Sequence, residues 1–376
     1  MRIFCGAIGV SFLMSGAVLA DTNGDCAQDA NAELAIRACT AIIQDTRGSN
    51  AVAYFSRGRA YDSKGDRVKA SDDFDEAIRL SPQYTNAYAG RGFVYLHRGL
   101  FGRAITDFSQ ALKLDPKYKE AFFGRGLTFL AVSDNGRATE DFGKAIALDP
   151  KYEPAYIKRG TAYGSDGQWD RAIADYNTAI SLNPANADSY DARGVAYSEG
   201  KGDYSHAVAD FDKAISLDPA HASAYVNRGL AHQRKGDNAQ AVADYDKAIS
   251  LNQDSASAYN SRALLLYATE QAREAKPDAD KAVSLKPNDW RFLDTRGHIL
   301  LALGDTNAAL EDFNAALRIN GDCISSLWGR GQVYEAQELP ALAILDFKKA
   351  IELKASVSAN REAQTKARAR LAVLAR

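Results

Sequence analysis

Residues 85–118 read TNAYAGRGFVYLHRGLFGRAITDFSQALKLDPKY, and the arginine at position 91 sets the problem. Tyr88 lies three residues before Arg91 and Tyr95 four after it, so the three share one face of a helix. Aromatic residues mark the buried face, and a permanent cation among them needs a partner. Sixteen residues further on, Asp107 stands three after Ala104 and four before Ala111, on their small-residue face. Gly99 interrupts the two periodic segments and Pro116 closes the second. The stretch reads as two amphipathic helices joined by a tight turn, each carrying one charge on its packed side.

The whole pattern recurs. Arg57, Arg91, Arg125, Arg159, Arg193, Arg228, Arg262, Arg296 and Arg330 are spaced by 34 residues, with one interval of 35 between Arg193 and Arg228. Gly follows each Arg except Arg262, where Ala263 stands. Alanines recur from Ala70 to Ala343 and from Ala77 to Ala350, with an aromatic between them, as at Phe74, Phe108, Tyr176 and Phe347. Turn glycines follow the first segment at Gly65, Gly99, Gly167, Gly236 and Gly304. Periodicity of this length marks stacked identical units that stabilise one another through neighbour contacts.

The acids Asp73, Asp107, Asp141, Asp175, Asp210, Asp244, Asp278, Asp312 and Asp346 keep pace with the arginines. The separation is 16 residues, or 17 in the unit that holds the extra residue. A buried unpaired charge is costly, so the two sets are expected to neutralise each other in a ladder of ion pairs. The spacing leaves open whether each Arg meets the Asp of its own hairpin or of the preceding one. The competing reading is a row of cations for an acidic ligand.

These slots resemble the tetratricopeptide repeat. The resemblance covers residues 51–357, in nine units starting near 51, 85, 119, 153, 187, 222, 256, 290 and 324. It implies an all-α fold, an α-solenoid coiled as a right-handed superhelix, with first helices lining a concave groove. Where that family commonly has leucine before the glycine, this chain has arginine. Residues 33–44 look like an unpaired second helix that covers the first hairpin, and 358–376 like a capping helix.

The ends carry further signals. Residues 1–20 have Arg2, an apolar run and the small-residue pattern Val18-Leu19-Ala20, which predicts a signal peptide cleaved after Ala20 and a periplasmic or secreted protein. Cys26 and Cys39, in the amino-terminal segment 21–50, are then expected to form a disulfide stabilising by about 3 kcal/mol. Cys323 is left as a free thiol or an intermolecular partner. The formal net charge of −2 disfavours nucleic acid as a partner. No integral membrane segment is expected after cleavage.

No nucleophile elbow, phosphate loop or zinc-type cysteine pair occurs, so no catalytic residue, metal or cofactor is expected. Helix phase puts Phe55, Phe93, Leu96, Phe123, Leu127 and Leu130 toward the groove as an apolar strip, with contact inside a tightly wound stack as the plainer reading. Further along, equivalent slots carry Asp188, Asp191, Glu199, His298, Trp328 and Glu335. The expected function is a non-catalytic module that binds a peptide or protein of unknown identity. An assembly scaffold of the cell envelope is the alternative, ahead of an enzyme or metal protein. The seventh unit departs most from the pattern: Ala263, Ala279, Glu270 and Pro277 predict a bend or soft point at 269–279.

Overall fold

A computed structural model describes residues 24–27, 31–354 and 358–374. The expected signal peptide and its cleavage point lie outside them. The chain divides into two compact units, residues 1–183 and 184–376, a division the repeat pattern did not announce.

The first unit contains α1 (Ala32–Asp45) and four hairpins: α2 (Ala51–Ser63) with α3 (Arg67–Leu80), α4 (Thr85–His97) with α5 (Phe101–Leu114), α6 (Lys119–Ala131) with α7 (Asn135–Leu148), and α8 (Glu153–Ser165) with α9 (Trp169–Leu182). The second contains α10 (Ala187–Val195) with α11 (Tyr204–Leu217), α12 (Ala222–Lys235) with α13 (Asn238–Leu251), α14 (Ala256–Ala268) with α15 (Ala272–Leu285), α16 (Trp290–Ala302) with α17 (Thr306–Ile319), and α18 (Ile324–Ala336) with α19 (Pro340–Glu352). Helix α20 (Ser358–Leu374) ends it. Within each unit, every helix packs mainly on its chain neighbours. Each unit is an α-solenoid.

Glycine and a ring make the joint between neighbouring helices. A Cβ on Gly58 or on Gly90 would lie 2.9 Å from the Phe74 ring, so the ring is clasped by its own first helix and by the next one. The rings of Phe108 and Phe313 are clasped alike, by Gly92 with Gly124 and by Gly297 with Gly329, whereas Phe142 and Phe211, equally buried, meet a glycine only on their own first helix, Gly126 and Gly194. The seventh hairpin changes both partners at once. Ala279 replaces the ring, Ala263 takes the Gly slot, and Ile299 from the following hairpin packs against both. Two departures that look independent in sequence are one packing exchange.

Pro277 does not shorten or delay its helix. Helix α15 has 14 residues, as do the second helices of all the other hairpins except the last, with Pro277 inside and exposed. The carbonyl that loses its N–H partner therefore faces water, which limits the cost. The extra residue of the fifth hairpin is absorbed by a π-helical turn, Ala196–Lys201, closed by Gly202 at φ 63°. One inserted residue widens a single turn and leaves both flanking helices in phase.

All nine hairpin turns pass through the left-handed region. Six do so at glycine, but Ser133, Glu270 and Glu338 adopt φ of 60°, 62° and 61°. At Gly65 a Cβ would meet nothing within 4 Å, so backbone strain and not crowding decides the residue. Glu270→Gly is expected to stabilise the seventh hairpin by about 1 kcal/mol. Slower amide exchange in α14 and α15 of the variant would register it, and unchanged or faster exchange would contradict it.

Both ends are covered. Ile42 and Ile43 of α1 pack on Ala53 and Tyr54 of α2. The sulfurs of Cys26 and Cys39 lie at bonding distance, 2.17 Å, with Cα atoms 4.8 Å apart. At the other end Ala367 of α20 is buried against Ala343 and Phe347. Gln364 of α20 donates to the carbonyls of Ala350 and Leu353 at 2.8 and 2.6 Å, capping α19.

Candidate functional site

Every first helix presents its arginine between two side chains on the same stripe. Arg57 lies 5.4 Å from the Tyr54 ring and 6.0 Å from Tyr61, and Arg159 lies 5.6 and 5.9 Å from Tyr156 and Tyr163. Cation–π contact is the first part of the answer to a cation among aromatics. The second is a two-pronged bond to the Asp of the same hairpin. Arg57 Nε and Nη2 donate to Asp73 at 2.8 and 2.7 Å, and Arg330 to Asp346 at 2.7 and 2.7 Å. The same geometry joins Arg91 to Asp107, Arg125 to Asp141, Arg159 to Asp175, Arg193 to Asp210, Arg228 to Asp244, Arg262 to Asp278 and Arg296 to Asp312. Hydrogen bonding to Asp175 raises the Arg159 guanidinium above its usual range despite partial burial.

The remaining nitrogen, Nη1, turns to the preceding helix layer. It donates to Thr40 from Arg57, Ser109 from Arg125, Asp212 from Arg228 and Asn314 from Arg330, at 3.1, 3.0, 2.6 and 2.8 Å. Arg91 and Arg262 reach Asp75 and Asp246 in the same manner. The question the spacing left open has a double answer: each guanidinium grips its own hairpin with two donors, and most of them reach the helix layer before it with a third. Such arginines have little left to offer an acidic ligand.

The six apolar groove candidates are half-buried, not an outward strip. Phe55 packs on Phe74 and Tyr84 at 5.7 and 5.1 Å, Phe93 meets Phe108 edge-on at 4.9 Å, and Phe123 packs on Phe142 and Tyr152 at 5.7 and 5.2 Å. Leu96 belongs with Phe93, and Leu127 and Leu130 with Phe123. Successive first helices lie close enough to cover these side chains, which helix phase alone does not convey. The exposed large apolar residues lie elsewhere, among them Val68, Leu148, Leu342 and Leu345.

A second set on this face is new. Tyr84, Tyr118 and Tyr152 precede α4, α6 and α8, in the slot where Asn50, Asn186, His221, Ser255 and Asp289 cap their helices by side chain. The tyrosines make no capping bond. Their rings are half-buried and, among the described residues, no side chain bonds their hydroxyls. Burial pushes the Tyr152 phenol up to about 12, and Lys119 sits 5.0 Å over its ring. The 34-residue spacing of the three was visible in the sequence, but a residue before a helix start draws no attention there.

In the second unit the equivalent face is polar. His221 contacts Asp188 at 2.9 Å, Asn227 donates to Asp191 at 2.9 Å, and burial raises the Asp191 carboxyl. Asp294 accepts from Ser326 Oγ at 2.6 Å, and His298 Nε2 meets Ser325 Oγ at 2.9 Å. Glu335 holds Arg370 of α20 at 2.6 Å. A Ser–His–Asp relay is not formed, because His298 turns the same Nε2 to Ser325 and, at 3.7 Å, to Asp294. Cys323 is 5 % exposed, which removes it as an intermolecular disulfide partner; burial and the Asp294 charge push its thiol up to about 11. Among the described residues no three His, Cys, Asp or Glu side chains are placed to hold a metal, and no helix is long and apolar enough to cross a membrane.

Comparison with known proteins supplies the family. Tetratricopeptide repeat models match residues 51–84, 89–153, 160–199, 201–236, 222–255, 256–289 and 295–358. No curated protein matches. Among solved structures, a tetratricopeptide repeat protein from Parabacteroides merdae aligns with TM-score 0.52 at 22% identity, over 66% of this chain and 98% of that one. MamA aligns with TM-score 0.40 at 31% identity, over 44% of this chain and 96% of its own. YrrB, described as a TPR protein with an unusual peptide-binding site, aligns with TM-score 0.41 at 24% identity, over 50% and 95%. Repeat period, hairpin architecture and matches along nearly the whole array agree, and the chain belongs to the tetratricopeptide repeat family, whose domains bind protein or peptide partners.

Proposed function

We propose that this protein is an exported, non-catalytic interaction module that binds a polypeptide along its first-helix faces. Export rests on the leader-like residues 1–20 and on Cys26 and Cys39 standing at bonding distance. Binding rests above all on Tyr84, Tyr118 and Tyr152. A side-chain cap contributes about 1 kcal/mol to a helix, and three consecutive hairpins forgo it for a ring with an unbonded hydroxyl. Tyrosine offers a partner a rigid apolar body and a polar tip at little entropic cost.

Asn at these three positions restores the cap and removes the ring. The triple variant Tyr84→Asn, Tyr118→Asn, Tyr152→Asn is expected to keep its stability within about 1 kcal/mol per site. It is also expected to lose in-cell crosslinks formed by a photoreactive residue placed at Leu96. A photoreactive residue at Val68, on the opposite helix set, serves as the reference. Equal crosslinking of the parent from both positions, or survival of the Leu96 crosslinks in the triple variant, would refute the reading.

A further inference from the structure

The first helices of the last three hairpins and helix α20 enclose a pocket of about 450 Å³, lined among others by Tyr267, Asp294, His298, Trp328, Gln332 and Lys366. Its chemistry differs from that of the ladder. Asp294 is 15 % exposed and uses one oxygen: Oδ1 accepts from Ser326 and lies 3.7 Å from His298 Nε2. Among the described residues nothing donates to Oδ2. A half-buried carboxylate with one oxygen unclaimed by the protein and facing the pocket is a ready acceptor for a cationic donor, whose charge-assisted hydrogen bond is stronger than one from water.

The walls suit the same guest. Tyr267, His298 and Trp328 are half-buried rings, with Tyr267 and His298 centroids 6.4 Å apart. Aromatic faces beside a carboxylate attract a compact cation and shield it from water. The cation already at the rim does not fill the role, since Lys366 Nζ bonds Glu362 at 2.7 Å. Arg370 is engaged by Glu335, and Arg296 by Asp312.

We propose that this pocket takes the terminal nitrogen of a lysine or arginine side chain of a bound polypeptide, with Asp294 Oδ2 as acceptor and Tyr267 and Trp328 as walls. The inference rests on the polypeptide-binding reading but occupies a different hairpin set from the tyrosines. The two can therefore fail separately.

The test uses the mature chain and small probes, N-acetyl-lysine methylamide against its uncharged norleucine analogue and N-acetyl-glutamate methylamide. The chain has three tryptophans, so the indole N–H resonance of Trp328 is assignable through Trp328→Phe. The lysine probe is expected to shift that resonance saturably, and the other two are not. Asp294→Asn, nearly isosteric, should weaken the lysine probe by about tenfold or more. Lys366→Gln, at an exposed position, should tighten it by about twofold to threefold. A Trp328 resonance unmoved by the lysine probe, moved equally by norleucine, or moved equally in Asp294→Asn would overturn the proposal. So would preference for the glutamate probe. Survival of the Leu96 crosslinks in the triple tyrosine variant, with the Trp328 shift intact, would instead strike the tyrosine face and leave the pocket standing.

Discussion

Arg159→Leu is expected to destabilise the fourth hairpin by about 3–5 kcal/mol, and Asp175→Leu added to it to restore much of the loss. This rung is the cleanest in the ladder. Arg159 Nε and Nη2 bond Asp175 at 2.8 and 2.7 Å, and the slot that supplies a side-chain acceptor to the other arginines is Gly143. Removing the arginine alone strands a carboxylate whose side chain is 9 % exposed. Removing both leaves two leucines on faces already lined by Tyr156, Tyr163, Ala172 and Ala179. The coupling between the two changes should exceed about 2 kcal/mol, far above the value for an exposed pair. Because a stack can open one hairpin at a time, amide exchange within α8 and α9 is the measurement of choice. Equal exchange in the single and double variants would show that the pair is not the reason for the two charges.

Phe142→Ala is expected to cost about 3–5 kcal/mol by emptying the joint between the third hairpin and its neighbour. Gly126→Ala is expected to cost about 1–3 kcal/mol by overpacking. Its new methyl would sit 2.7 Å from the Phe142 ring, closer than side-chain carbons approach. Together the two should cost at least about 1 kcal/mol less than their sum, since the methyl then enters the space the ring has left. The chain holds a natural precedent in Ala263 and Ala279, where Ile299 completes the packing. Phe142 has no such neighbour, because the position equivalent to Ile299 is the smaller Ala162. Strict additivity in denaturant titrations would show that the glycine slot and the ring slot are not one joint.

The sequence announced the hairpin and its chemistry. Gly65 and its counterparts, the alanines at 70 and 77, and the arginine–aspartate interval all describe contacts inside one repeat, where residue spacing translates directly into helix faces. The first helices begin at Ala51, Thr85, Lys119, Glu153, Ala187, Ala222, Ala256, Trp290 and Ile324, where the repeat pattern opens. Even Glu270 was readable as standing in a turn-glycine slot, although the left-handed backbone at Ser133, Glu270 and Glu338 was not.

Contacts between repeats were hidden. The third donor of most of the arginines, the burial of Phe55, Phe93 and Phe123, and the exchange of Phe for Ile299 all depend on how one helix crosses the next. Crossing geometry arises from the sum of many interdigitating side chains and leaves no fixed spacing in the chain. Sequence alone thus determined a repeated two-helix brick with paired internal charges. Only tertiary structure decided which aromatic faces stay reachable, that Tyr84, Tyr118 and Tyr152 stand uncapped among them, and that Asp294 keeps an idle oxygen in a pocket. Local periodicity specifies a brick, whereas a binding surface forms only where bricks meet.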